Sequence, residues 1–368
     1  MEEIPKSSDG LLAEKRSIGS LIKDAEEKEF RVPVSFEMSY KYIPTAEHSI
    51  IALGETQILS IGNIFTLIAP PGTGKSNIAE AIASNYINGD CDSFGFKVDL
   101  PEGKKILLCD TERTKNDCYK GFKRIMNRTG VEPAHLKDGL FEDLIFRAFI
   151  ASESLEESRQ DITDILETGE IGLMILDGVG DFVASVNDEE KAKEIVKWLV
   201  TMANKHNLGV MVTIHPNPKD PSYKPTGHLG SFLLKKSEAV MVVCKADNNS
   251  RLITTNFEHG KVRGGKDMLD TAIEWSDAEH MFMSSDVDQA KTNNKKGKKV
   301  DDLFKELFTA IKTSYTYGDL LEAVMKKRGV KKTAANSLID DAENLNIIKE
   351  FRGSYSLNVA DGDDEVPF

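Results

Sequence analysis

Cysteine is scarce in this chain: four in 368 residues, Cys91, Cys109, Cys118 and Cys244, with no C-x-x-C pair and no histidine at metal-ligand spacing. That pattern speaks against a disulfide framework and a thiolate metal site, and for reduced thiols in a cytosolic protein. Long apolar runs are missing too. Nothing approaches the roughly 18 apolar residues of a membrane span, and the first residues lack the apolar core of a secretory leader, so a soluble cytoplasmic protein with no membrane partner is expected. A basic excess is also absent, since the net charge is −13. The surface as a whole repels nucleic acid, and DNA must be met by a local basic patch. What is present, 40% hydrophobic and 29% charged residues, suffices for one large core and a smaller satellite.

Residues 1–45 are polar and charged, an N-terminal arm with one amphipathic stretch that places Leu11, Ile18, Leu21 and Ile22 near one helical face. It could pack on a neighbouring subunit or on its own core. From residue 46 to 283 short β-rich apolar runs, such as "KILLCD", "IGLMILD", "GVMVTI" and "AVMVVCK", alternate with helical patterns. This predicts an α/β fold whose mostly parallel sheet is wrapped by helices. Residues 284–299, polar and lysine-rich, read as a linker. Residues 300–359 show three helical patterns and a closing hairpin, and 360–368 form an acidic tail.

Chemistry enters at "IAPPGTGKSNIAEAIA", residues 68–83. A strand, a glycine-bearing turn and a helix in succession aim backbone N–H groups at an anion, and Gly72 and Gly74 let the backbone come close. Pro71, Gly72, Thr73, Gly74, Lys75, Ser76 and Asn77 would cradle the phosphates of ATP. Lys75 would reach the β- and γ-phosphates and Ser76 would hold Mg²⁺. The first glycine of the usual motif is Ala69 here, a small change if its φ is negative. Asp177, at the end of "IGLMILD", supplies a second group for Mg²⁺. The residue after it is Gly178, which has no side chain to act as base, so a base for the attacking water must come from elsewhere. "KKILLCDTERT" offers Asp110 and Glu112 just past its last apolar residue.

At these residues the chain resembles the RecA-like P-loop ATPases, and among them the hexameric helicases of the RepA and DnaB kind. The resemblance implies Glu112 as catalytic base and, from "GVMVTIHP", His215 as the residue sensing the γ-phosphate. "GHLGSFLLKKSEAVMVV" is similar to the segment before the family's next strand, with Leu229 where an arginine is usual. "HGKVRGG" is similar to the hairpin whose cations enter a neighbour's site, which implies Lys261 and Arg263 as fingers acting in trans and a homo-oligomer, a hexamer for preference. By the same resemblance the ATPase core would act on DNA, single-stranded for preference. The loop "PNPKDPSYKPTGHLG" is a candidate channel loop, with Lys219, Tyr223 and Lys224 as backbone and stacking contacts, and reads equally well as a disordered surface loop. A replicative helicase or helicase loader of a plasmid, phage or mobile element is the sharpest form of this reading. An ATP-switched DNA-binding regulator without strand separation is the alternative.

Residues 290–352 hold fourteen Lys or Arg against nine Asp or Glu, a net of +5 inside the acidic chain. The segment resembles a winged helix, with Thr333 as N-cap and Lys331, Lys332 and Asn336 presented to duplex DNA or to a protein partner. The closing "DGDDEVPF" resembles the tip of bacterial single-stranded DNA-binding protein. That implies a docking peptide in which Pro367 and Phe368 bind a receptor of that tip, although a solvating tail, or one that folds back on the basic module, fits the same residues.

Overall fold

The computed structural model describes residues 48–358 except 150–153, 219, 248, 264, 266–267, 310–312 and 346. Its centre is built from strands with no polar face. β3 (Ile64–Ile68), β7 (Ile171–Asp177) and β8 (Gly209–Ile214) are buried along their whole length, and β9 (Ala239–Lys245) in all but its last residue. Continuous apolar runs of this kind pack on both sheet faces, which requires helices above and below. β5 (Lys105–Asp110) and β6 (Leu144–Ala148) complete a parallel core, in the order β6-β5-β7-β8-β3-β9. The strand before the phosphate loop, β3, is therefore separated from the Asp177 strand, β7, by β8. The α/β class and the mostly parallel sheet read from the sequence are as observed.

The helices of the core come from the predicted segments. α1 (Lys75–Ile87) and α2 (Lys115–Thr129) cover one face, and α4 (Glu189–Lys205) and α5 (Gly227–Lys236) the other, with α3 (Leu155–Glu167) beside them. Local capping marks their starts. Ser154 and Glu157 exchange side-chain to backbone hydrogen bonds at the head of α3, and Thr114 and Asp188 accept from the third residue of α2 and α4. A small antiparallel sheet flanks the core, β1 (Ser49–Leu53) lying between β2 (Thr56–Ser60) and β4 (Phe96–Val98). On the β9 side the main sheet turns antiparallel through β10 (Ser250–Thr254), the short β11 (Lys261–Val262), β12 (Thr271–Ser276) and the edge strand β13 (Met281–Ser285).

Residues 284–299, expected to be a linker, are instead the end of β13 and the first half of a continuous helix, α6 (Val287–Leu307). Two features stabilise it. Asp286 caps the first turn, accepting from Gln289 N at 2.7 Å, and Val287 and Ala290, three apart, pack against Cys244, Leu252 and Ala272 of the sheet. The last turns bury Val300, Leu303 and Phe304 in a second core. Between these ends the sequence is polar and rich in lysine, a good helix former.

That second core belongs to a small C-terminal module. α7 (Tyr317–Arg328) and α8 (Lys332–Asn344) pack with the end of α6, and a three-stranded antiparallel sheet closes it in the order β14 (Ser314–Thr316), β16 (Ser354–Leu357), β15 (Ile348–Phe351). Helices and hairpin stand where the sequence placed them, but the N-cap of α8 is Lys331 rather than Thr333, with no side-chain cap bond. Val330 and Lys331 directly follow the left-handed Gly329 that ends α7, so the chain re-enters a helix before Thr333 is reached. Lys331 and Lys332 are exposed. Asn336 is half-buried and accepts from the Tyr317 hydroxyl at 3.1 Å.

Among the described residues no helix is long and apolar enough to cross a membrane. Residues 1–45 and the tail with Pro367 and Phe368 lie outside the described residues.

Candidate nucleotide site

Register brings the chemistry to one edge. Asp110 and Asp177 end β5 and β7 as direct partners, and Ile68 and Ile214 are partners at the ends of β3 and β8. Each next residue therefore emerges over the carboxyl ends of the strands. There a pocket of about 320 Å³ is lined by the phosphate loop together with Glu112, Arg113, Arg124, His215 and Phe282.

The loop has the backbone an anion cradle needs. Gly72 and Gly74 have φ of +68° and +96°, in the left-handed region that side chains avoid. Ala69 is not among the positive-φ residues and is fully buried, donating its N–H to Ile214 O at 3.1 Å, so an alanine fits there. α1 carries no acidic residue in its first turn, which leaves its N-terminal dipole free for an external anion.

Lys75, 6% exposed, points into a cluster of three. Its Nζ lies 3.4 Å from both Glu112 oxygens and 2.7 Å from His215 Nε2. In the neutral ring, His215 Nδ1–H donates to Ala69 O at 3.1 Å and Nε2 accepts from Lys75. In the protonated ring Nε2–H turns to Glu112 Oε1, 3.4 Å away. Interaction with His215 holds the Glu112 carboxyl below the usual carboxylate range, against partial burial and with further help from Lys75. Its contribution to stability is present above the ordinary carboxylate pKa and is lost as pH falls through the lowered value.

Asp177 is 2% exposed. Burial pushes its carboxyl up, opposed by hydrogen bonds from the Ser76 and Thr213 hydroxyls, the latter at 2.8 Å. A serine hydroxyl beside one carboxylate, open to a phosphate chain, is a donor set that suits Mg²⁺, which takes one or two carboxylates and leaves its other positions to phosphate and water.

Only one of the two sequence candidates on the β5 edge is free to act on water. Asp110 is fully buried and committed to Arg113, accepting from its backbone N at 3.0 Å and from its Nε. Arg113 and Arg124 both donate to Glu80, 1% exposed, at 2.7 to 2.8 Å. This buried network fixes the turn that carries Glu112. Gly121 makes room for it, because a Cβ there would stand 2.4 Å from Glu80 Oε1. Sequence reading missed Glu80, Arg113, Arg124 and Thr213. A threonine inside the apolar run "GVMVTI", and an arginine directly after Glu112, were the available signals.

Gly178 is explained by the same crowding. Its φ is +105°, and a Cβ would lie 2.5 Å from Thr111 Oγ1 and 2.7 Å from Glu112 Cγ. No side chain fits beside Asp177 because Glu112 already fills that space. Gly178→Ala is expected to cost about 1–3 kcal/mol in backbone strain and displacement and to reduce turnover more than it lowers the melting temperature. Paired measurements of kcat and thermal unfolding check this, and wild-type kcat would refute it.

Lys261 and Arg263 lie elsewhere. β11 pairs with the start of β9, and Arg263 N donates to Glu238 O, at the opposite end of the sheet from the phosphate loop. Lys261 Nζ caps Leu234 O and Arg263 NH2 caps Lys235 O at 3.0 Å, both at the last turn of α5. Arg263 is exposed. Leu229 is fully buried in the core under α5, which is why an apolar residue stands there. Tyr223, expected as a stacking contact of a channel loop, instead packs on Phe257 with ring centroids 4.9 Å apart. The loop is drawn in by the Pro216–Pro225 bridge and by the Asn217 N to Lys224 O bond, so the ring is turned to the core. Lys224 is exposed and Lys219 is outside the described residues.

A comparison with curated proteins finds no match. Residues 49–220, from β1 past His215, match the family model described as an AAA domain, and in that span, which holds the phosphate loop, Glu112, Asp177 and His215, the chain is similar to the nucleotide-binding P-loop ATPases.

Proposed function

We propose that this chain is an ATP-hydrolysing motor or remodeller of DNA that works as a homo-oligomer, a helicase or helicase loader of the RepA and DnaB kind, with a C-terminal winged helix. The observation that carries the reading is the meeting of Lys75, Glu112 and His215 at the edge where β8 lies between β3 and β7, with Gly178 leaving the space beside Asp177 to Glu112.

Lys75 neutralises charge on the terminal phosphates, and the N–H groups of the loop cradle the rest. Ser76 and Asp177 would hold Mg²⁺, which supplies further charge neutralisation when bound. Lys75 cannot serve both phosphate and Glu112. As it turns to the phosphate, the carboxylate is released to take a proton from the attacking water. His215, tied to Ala69 O, stands where the terminal phosphate replaces Lys75 as its neighbour. Arg263, exposed at the far end of the sheet, would exchange its cap on Lys235 O for the site of another copy.

The DNA part of the reading is supported by the +5 balance of residues 290–352 and by the exposed Lys331 and Lys332 at the head of α8. ATP turnover measured with no DNA, with single strands and with duplex tests it. Single strands are expected to stimulate turnover several-fold. Tight binding of one duplex sequence with slow, unstimulated turnover would favour a nucleotide-switched regulator instead.

A further inference from the structure

Glu112 reaches the pocket from a turn that runs from Asp110 to Arg113, and that turn is held from two sides. On one side Asp110 takes the backbone N–H and the guanidinium of Arg113. On the other stands Thr111. Its N–H donates to Asp177 O at 3.2 Å, and its hydroxyl lies within reach of three acceptors: Asp177 O at 3.2 Å, Gly178 O at 3.0 Å and Asp181 Oδ2 at 2.9 Å. We propose that Asp181 is a positioning residue of the hydrolytic site, which orients Glu112 by holding the Thr111 hydroxyl, an inference that rests on the reading of Glu112 as the base.

A hydroxyl has one proton, so Thr111 donates to one of the three acceptors at a time. The carboxylate is the shortest contact and the one with a charge, which makes it the strongest partner. Threonine is branched at Cβ and stiff at χ1, so the chosen acceptor fixes the whole side chain. Crowding passes that choice on to Glu112. A Cβ on Gly178 would lie 2.5 Å from Thr111 Oγ1 and 2.7 Å from Glu112 Cγ, so both side chains stand against the same glycine. Released from Asp181, Thr111 shares that space with the stem of Glu112, and the base loses a fixed neighbour.

The other end of the tether is anchored. Asp181 belongs to a short 3₁₀ turn, Val179–Phe182, that follows Gly178. Val179 and Phe182 are buried, Phe182 stacks on Trp198 with ring centroids 6.3 Å apart, and the Phe182 carbonyl accepts from Arg159 NH2 at 2.8 Å. Asp181 itself is exposed. Partial burial pushes its carboxyl up and the charge of Glu112 adds to this, while the Thr111 hydrogen bond, His215 and Lys75 oppose the rise. An acid that faces the like charge of the base gains nothing from that neighbour, and the Thr111 bond is the contact that favours its ionised form. Asp181 does not line the pocket, so its effect on a bound nucleotide has to pass through Thr111 and Glu112.

The test uses the full chain with ATP and Mg²⁺ and reads kcat, KM and the melting temperature. Asp181→Ala should lower kcat about ten-fold or more, the scale of a misplaced catalytic group, and leave KM within about two-fold. Asp181→Asn keeps an oxygen that accepts from Thr111 and should restore most of the loss. Thr111→Val keeps the shape and removes the hydroxyl, so it should match Asp181→Ala, whereas Thr111→Ser should retain turnover. Thr111→Val combined with Asp181→Ala should lose no more than either alone, because both break one contact. Wild-type kcat in Asp181→Ala, an equal loss in Asp181→Asn, or losses that multiply in the double variant overturn the tether and leave the base in place. A wild-type chain without ATP turnover, or full turnover in Glu112→Gln, overturns the reading of Glu112 and the tether with it. Should Asp181→Ala not fold, the contrast between Thr111→Val and Thr111→Ser decides.

Discussion

Glu112→Gln should retain ATP and lose turnover by about 10²–10⁴, the usual worth of a general base. Lys75→Ala should instead lose the nucleotide. The two differ because they remove different partners of one contact, the 3.4 Å approach of Nζ to both carboxylate oxygens. Glutamine keeps the shape and the hydrogen-bonding oxygen but cannot take a proton, so binding survives and water is not activated. Alanine at position 75 removes the cation that faces the phosphates. It also leaves Glu112 with only His215 to hold its charge, so the carboxyl should rise toward its ordinary range. Equilibrium binding and single-turnover hydrolysis, measured side by side, separate the cases. Full turnover in Glu112→Gln would move the base elsewhere. Asp110 is the poorer substitute because it is buried and bonded to Arg113.

Arg263→Ala should leave ATP binding intact and reduce hydrolysis by about 10³–10⁵, the range of an arginine finger. Within its own chain the Arg263 guanidinium donates to Lys235 O at the carbonyl end of α5 and its backbone N to Glu238 O, and it sits at the wrong end of the sheet for the phosphate loop. An effect of that size therefore has to be exerted on another subunit. Mixing Arg263→Ala with Lys75→Ala chains makes the point directly. One partner brings an intact phosphate loop and the other an intact finger, so interfaces of one orientation recover activity although neither chain has it alone. With assembly shown to be intact, the absence of recovery would leave Arg263 as a helix-capping residue. Loss of assembly in Arg263→Ala alone would make it a residue of the subunit contact and not a catalytic finger.

The nucleotide half was legible in the sequence because its signals are local. Strand, turn and helix follow one another in residues 64–87, so the glycines, Lys75 and Ser76 act within one short segment and need no distant partner. The fully apolar strands likewise state their own burial, and the acids at the ends of β5 and β7 could be placed at one edge from the alternation alone. Charge asymmetry marked the C-terminal module, and helical periodicity marked α7 and α8.

Other features depended on contacts between residues far apart in the chain, and these only the tertiary structure decided. Asp110 and Glu112 are two residues apart and equally acidic. Arg113, Arg124 and Glu80 remove the first from service and leave the second at the pocket. Gly178 reads as a position without a base until Glu112 is seen filling its space. The lysine-rich stretch before residue 300 looks like a linker because its own residues are polar, while Val287 and Ala290 on the sheet and Phe304 in the next core lie at the two ends of the helix that contains it. Phe282 carries no motif at all. It becomes part of the nucleotide pocket because an antiparallel edge strand is held by Asp92 and Arg128 and brings an aromatic ring to Gly74, more than two hundred residues away. Composition and period determine which segments can form strands and helices. Which side chains are left free to do chemistry is decided by the partners that packing gives their neighbours.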